Sequence, residues 1–198
     1  MTDSEICGDI LIVDDAPANL RLLSRMLTGH GYKVRAVRNG PHAIQAAQAA
    51  PPDLILLDIV MPEIDGYEVC RRLKQDERTR DIPIICISAL GEVDDKVKAF
   101  VAGGVDYVTK PFQAEEVLAR VRTHLALRNL TRQLQETNAE LAQRVAELDA
   151  FAHTVAHDIR APLSVIIGYA GLLLHNPQEL PESTRRECLQ TLEGMARR

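Results

Sequence analysis

Short apolar runs and amphipathic stretches alternate along residues 1–112. Ile10-Leu-Ile-Val13, Tyr32-Lys-Val-Arg-Ala-Val37, Leu54-Ile-Leu-Leu57, Ile82-Pro-Ile-Ile-Cys-Ile87 and Tyr107-Val-Thr109 read as five strands. Three of these are nearly continuous hydrophobic runs, the pattern of strands covered on both faces. Between them, stretches beginning at Pro17, Pro41, Asp65 and Asp94 have helical spacing. Gly29-His-Gly31, Pro51-Pro52 and Gly103-Gly104 punctuate the pattern where helices end or strands begin. The alternation predicts an α/β domain, an open parallel sheet with helices on both sides.

From Gln113 the pattern changes, with neither Pro nor Gly before Pro162. One long helix is expected there, a second helical stretch from Pro162 to about Leu174, a turn over 175–181, and a last helix from Glu182 to Arg198. Leu127, Leu134, Leu141, Leu148 and Val155 recur every seven residues, and Thr131, Asn138, Val145, Ala152 and Ile159 each follow four later. The two series fill the d and a positions of a heptad, and a helix from Leu127 to Ile159 runs roughly 50 Å. A dimeric coiled coil is expected, because no other segment is free to cover so long a seam. Asn138 at an a position fits, since a buried Asn pair disfavours other registers and oligomer states.

Composition narrows the function. The 198 residues are 46% hydrophobic and 26% charged, with a net charge of −5. Lys+Arg against Asp+Glu is 15 to 19 over residues 1–127 and 8 to 9 over 128–198, which argues against nucleic acid as a partner of either half. No apolar run reaches the roughly 20 residues that span a bilayer, and no basic stretch leads into a hydrophobic signal, so no membrane partner and a cytoplasmic location are expected. Cys7, Cys70, Cys86 and Cys188 match no metal or redox spacing and read as structural thiols.

The first domain's chemistry lies where its strands end. Asp14 and Asp15 follow the first strand, Asp58 the third, Ser88 ends the fourth and Lys110 follows the fifth. In an open parallel sheet these ends form the ligand crevice. Three converging carboxylates repel, and a divalent cation, Mg²⁺, keeps them ionised together. A carboxylate nucleophile, a cation, a hydroxyl and a lysine form a site for phosphoryl transfer. An aspartate at one strand end is more often a helix N-cap, but five such groups at successive ends argue against that explanation.

Ile12-Val-Asp-Asp15, Leu57-Asp-Ile-Val-Met-Pro-Glu-Ile-Asp-Gly66, Ser88-Ala89 and Lys110-Pro-Phe112 resemble a two-component response regulator receiver domain over about residues 8–125. The resemblance implies a flavodoxin-like, doubly wound sheet of five parallel strands. It implies Asp58 as the phosphorylated residue and Asp14, Asp15 and the Val60 backbone carbonyl as Mg²⁺ ligands with it. Ser88 and Lys110 become phosphoryl contacts, Lys110–Pro111 a cis bond, and Tyr107 a switch aromatic that turns inward as Ser88 moves to the phosphoryl group.

In the long helix, Ala156-His-Asp-Ile-Arg-Ala-Pro-Leu163 sets an imidazole beside a carboxylate. His157 falls at a solvent-facing f position, Asp158 is placed to accept its ring proton, and Pro162 loosens the helix nearby. His153, at a b position with no acidic neighbour, reads as idle. Phe151-Ala-His-Thr-Val-Ala-His-Asp158 resembles the phosphoacceptor box of sensor histidine kinases over roughly 148–198. That resemblance implies His157 as phosphoacceptor, Asp158 as its acid/base partner, and a four-helix bundle made by two chains. Ala161 stands where the family often has Thr or Asn, which speaks against the usual phosphatase activity.

The expected order is therefore a receiver (1–125), a coiled-coil signalling helix (126–150) and a partial dimerisation and histidine phosphotransfer domain (151–198). The sequence has none of the Asn-rich or Gly-rich motifs of a kinase ATP-binding domain, so ATP enters only through a catalytic domain absent from this chain, and a fragment of a longer hybrid histidine kinase is expected. Expected partners are a second copy of the chain and two-component phosphodonors or phosphoacceptors. The competing reading is a response regulator whose helical tail only dimerises or docks a partner, with His157 chemically idle.

Overall fold

The computed structural model describes residues 8–89, 93–175 and 181–196. Cys7, residues 176–180 of the turn expected over 175–181, and the end of the last helix at Arg198 lie outside them. The chain divides into two units, Met1–Leu134 and Gln135–Arg198.

The first unit alternates β1 (Asp9–Val13), α1 (Pro17–Gly29), β2 (Lys33–Val37), α2 (Gly40–Ala49), β3 (Leu54–Asp58), α3 (Gly66–Gln75), β4 (Ile84–Ser88), α4 (Val93–Val101) and β5 (Asp106–Thr109). All pairings are parallel, in the order β2-β1-β3-β4-β5. The expected flavodoxin-like doubly wound sheet is thus present, and the strand order reverses direction at β1 and β3, which opens the crevice there.

The apolar runs are continuous because each strand feeds two cores. Leu11, Val13, Ile55, Leu57, Ile84 and Cys86 pack with Ala43, Ala47, Val69, Cys70 and Leu73 of α2 and α3 on one face. Their alternates Ile10, Ile12, Leu54, Leu56, Ile85 and Ile87 pack with Leu20, Leu23, Leu27, Val117 and Val121 on the other. The period-two alternation of strand side chains sends successive residues to opposite faces, so a strand covered on both sides has no polar position to spare. Cys70, Cys86 and Cys188 are free, buried thiols, as their spacing suggested.

Local chemistry sets the helix starts. Asn39 Oδ1 accepts from His42 N at 3.0 Å and Asp65 Oδ1 from Glu68 N at 2.7 Å, capping α2 and α3. Helix α1 instead starts at Pro17 with Ala16 as its N-cap and no side-chain capping bond. Neither Asp14 nor Asp15 occupies the cap position, which leaves both for the crevice.

Helix α5 (Ala114–His175) supplies residues to both units, and α6 (Glu182–Ala196) belongs to the second. Helix α5 contains Pro162 in its interior. The break expected at Pro162 is therefore absent: one missing N–H and one crowded carbonyl are outweighed by the helical residues on either side. The d and a residues Leu127, Leu134, Leu141, Val145, Leu148 and Ile159 are each more than half exposed along α5. No helix among the described residues is long and apolar enough to cross a membrane.

Candidate phosphoryl-transfer site

The crevice at the ends of β1, β3 and β5 gathers the residues singled out in the sequence. Asp14 and Asp58 are almost fully buried, Asp15 is half-buried, and each offers a carboxylate oxygen within 4.8 Å of the others. Lys110 bridges the two buried ones, its Nζ donating to Asp58 Oδ2 at 2.6 Å and to Asp14 Oδ2 at 2.9 Å. Two backbone donors add to the carboxylates' surroundings: Val60 N reaches Asp58 Oδ1 at 3.2 Å and Ala16 N reaches Asp14 Oδ1 at 2.9 Å.

Burial pushes the Asp58 carboxyl above its ordinary range, and the Lys110 ammonium only partly offsets this. Burial likewise pulls the Lys110 ammonium down, but its hydrogen bonds to Asp58 and Asp14 prevail and leave it above its ordinary value. Lys110 is therefore a fixed cation, and Asp58 a carboxylate whose negative charge is costly and open to neutralisation.

Ser88 is fully buried at the end of β4, where its carbonyl accepts from Lys110 N at 2.8 Å. The β4–β5 register pairs Ser88 with Thr109, which sets Lys110 one residue beyond Ser88 along the same edge. Lys110–Pro111 is cis, as the resemblance implied. Val60 is exposed on the loop after β3. Tyr107 is buried in the core on the α2–α3 face of the sheet, with Lys96 Nζ 5.9 Å from its ring centroid.

Two contributors carry weaker sequence signals. Asn19 Nδ2 donates to both Asp14 oxygens, at 2.9 and 3.1 Å, and so fixes that carboxylate's plane. A carboxamide in the first turn after the acidic pair is its sequence trace. Gly66 N donates to Ile59 O at 2.9 Å, and a Cβ built on Gly66 meets the Asp58 carbonyl oxygen at 2.3 Å. Only a residue without a side chain allows α3 to start this close to the strand end that carries Asp58.

Three oxygen donors in one pocket, two of them buried, suit a hard divalent cation such as Mg²⁺, which takes carboxylate and carbonyl oxygens. The arrangement combines a buried carboxylate able to act as a nucleophile, a cation fixed beside it and oxygens able to hold a metal, parts that phosphoryl transfer can use.

In the second unit, His157 and Asp158 are exposed on α5, with His157 Nδ1 and Asp158 Oδ1 3.3 Å apart. The carboxylate addresses one ring nitrogen and leaves Nε2 as the second. Ala161, one turn on, is exposed and has no polar group.

Two family models match the chain, one over each part. The response regulator receiver domain family matches residues 10–122, and the His Kinase A (phospho-acceptor) domain family matches residues 147–198. Among curated relatives, the DNA-binding dual master transcriptional regulator RpaA of Synechocystis is 48% identical over 116 residues, 59% of this chain and 48% of its own. Response regulator PleD of Caulobacter vibrioides is 38% identical over 152 residues, 74% of this chain and 34% of its own. The chain thus spans half or less of the length of these two relatives. The signal receiver domain of a signal transduction histidine kinase from Syntrophus aciditrophicus superposes with a TM-score of 0.57 at 38% identity, covering 60% of this chain and 90% of that one. The chain belongs to the response regulator receiver domain family and carries a histidine kinase phosphoacceptor domain after the receiver, an order matching that of hybrid histidine kinases.

Proposed function

We propose that the chain is a phosphorelay module in which Mg²⁺-dependent phosphorylation of Asp58 regulates, or exchanges phosphate with, a kinase module whose phosphoacceptor is His157. The observation that carries this is Lys110 held between the Asp58 and Asp14 carboxylates, beside a third carboxylate. Asp14, Asp15, Asp58 and the Val60 carbonyl hold the metal, which when bound neutralises charge on the phosphoryl oxygens. An Asp58 oxygen attacks phosphorus, the bond from phosphorus to the donor's leaving nitrogen or oxygen breaks, and the donor leaves with that electron pair. Lys110 and Ser88 contact the phosphoryl group so formed, and Tyr107 passes the change to the surface made by α4, β5 and α5.

The second unit acts as a dimer. The exposed d and a positions of α5 form the seam of a two-chain coiled coil leading into a helical bundle, and Asp158 is the acid/base partner of His157. ATP reaches His157 by way of a kinase catalytic domain, or phosphate arrives by relay from Asp58. One observation favours the competing reading: curated relatives are named as regulators. In that reading the tail only dimerises and His157 carries no phosphate.

Phosphosite mapping on the full reading frame with ATP and Mg²⁺ separates the two, comparing wild type with His157→Gln and Asp58→Asn. Acid-labile phosphate that His157→Gln abolishes is the expected result. Labelling at Asp58 alone, by a small-molecule phosphodonor and regardless of His157, overturns the kinase reading.

A further inference from the structure

His153 shares more with His157 than the helix. Asp149, His153 and His157 are spaced four residues apart within α5, so they form one stripe, and all three are exposed. No hydrogen bond or ion pair to the His153 ring is present among the described residues, whereas His157 Nδ1 is 3.3 Å from Asp158 Oδ1. A carboxylate on one ring nitrogen orients an imidazole for ligation through the other. The residues around the stripe are small: Ala146, Ala150, Ala156 and Ala161 are all exposed alanines. Thr154 turns its hydroxyl to the Ala150 carbonyl of the same helix, at 3.0 Å. Arg160 is the one cation within four residues of either histidine, against the two carboxylates Asp149 and Asp158.

Two histidines at i and i+4 lie a turn apart on one helix face, the spacing at which a helix presents two imidazoles to one transition-metal cation. We propose that His153 and His157 bind a Zn²⁺-type cation on the surface of α5, with the remaining positions open to water. Imidazole ligands select Zn²⁺, Cu²⁺ or Ni²⁺ over Mg²⁺, so this site and the receiver's carboxylates sort the two classes of metal between them. Nε2 of His157 serves the metal and a phosphoryl group alike, so bound Zn²⁺ excludes phosphorylation. Metal binding stands on the helix geometry alone, whereas this exclusion rests on His157 as phosphoacceptor.

Isothermal titration of Zn²⁺ into the full chain, with millimolar Mg²⁺ present to occupy the receiver, tests the site against His153→Ala and His157→Ala. Both variants replace exposed side chains by a strong helix former, and circular dichroism verifies that they remain folded. The expected result is a one-per-chain Zn²⁺ site in the wild type that each substitution weakens at least tenfold. Absence of Zn²⁺ binding in the wild type, or unchanged stoichiometry and affinity in His153→Ala, overturns the proposal. A companion labelling experiment keeps the two ideas apart. Zn²⁺ that suppresses His157 labelling in the wild type but not in His153→Ala supports the exclusion. Failure of His157 to be labelled without Zn²⁺ refutes the phosphoacceptor reading and leaves the titration to decide the metal site.

Discussion

Replacing Gly66 by alanine tests how the fold places Asp58. The new Cβ falls 2.3 Å from the Asp58 carbonyl oxygen, 2.7 Å from Ile59 Cα and 3.1 Å from the Asp58 carbonyl carbon. Ordinary contacts of this kind are about 3.5 Å, so the first turn of α3 must retreat from the end of β3 by about 1 Å. The obstacles are backbone atoms and no side chain can swing away, which puts the penalty at about 1–3 kcal/mol after the modest gain in helix propensity. For a domain of this size that corresponds to a fall in Tm of roughly 5–15 °C. Gly29→Ala is the control. Its Cβ meets nothing within 4 Å at the end of α1, so stability is expected to hold or rise by a few tenths of a kcal/mol. Thermal unfolding by circular dichroism reads both variants, and labelling with a small-molecule phosphodonor reads the consequence at Asp58. Whatever part of that shift β3 takes up moves Asp58, and a full shift of about 1 Å at the nucleophile costs about 10²-fold in rate. Gly66→Ala melting with the wild type and labelling at its rate refutes the reasoning.

Lys110→Met removes the cation between two buried carboxylates and is expected to cost about 3 kcal/mol at neutral pH in the absence of Mg²⁺, less in acid, read as the urea midpoint; a penalty independent of pH contradicts this. Burial pushes the Asp106 carboxyl up, but hydrogen bonds from Arg120 and His124 prevail and hold it below its ordinary range. The folded-state value is depressed, so its contribution is present above the unfolded value and lost as pH falls through the folded one. Asp106→Asn is therefore less stable than wild type at pH 7, with the gap closing in acid, and a gap that stays constant in urea titrations refutes the assignment. Leu141→Asp places a charge in the middle of the α5 seam and is expected to convert a dimer to monomers in sedimentation velocity, while Asn138→Ile keeps association and admits higher oligomers. A chain that sediments identically in all three forms does not associate through these positions.

The sheet was legible because its central strands are buried on both faces and show it in runs such as Leu54-Ile-Leu-Leu57. Strand ends were readable for the same reason: the first charged residue after such a run marks where the core stops, and Asp14, Asp58 and Lys110 stand there. Asn19 escaped notice because a helical carboxamide has no feature that sets it apart from a solvated one until Asp14 is seen beside it. The helix through Pro162 escaped because the residue preference is local, while helix continuity is decided by the turns on both sides.

Counting charge around Lys110 gives the crevice a further meaning. Three carboxylates and one ammonium leave a deficit of two positive charges, the amount a divalent cation supplies. With such a cation bound the site would be balanced before any phosphoryl group arrived, and in the proposed function conversion of one carboxylate to an acyl phosphate dianion would unbalance it by a single unit. So small a change in net charge conveys little at a distance. In the proposed function what would travel is the reassignment of a hydrogen-bonding partner: Lys110 would exchange the oxygen it holds on Asp58 for one on phosphorus, and the elements attached to either end of that exchange would feel it as a displacement.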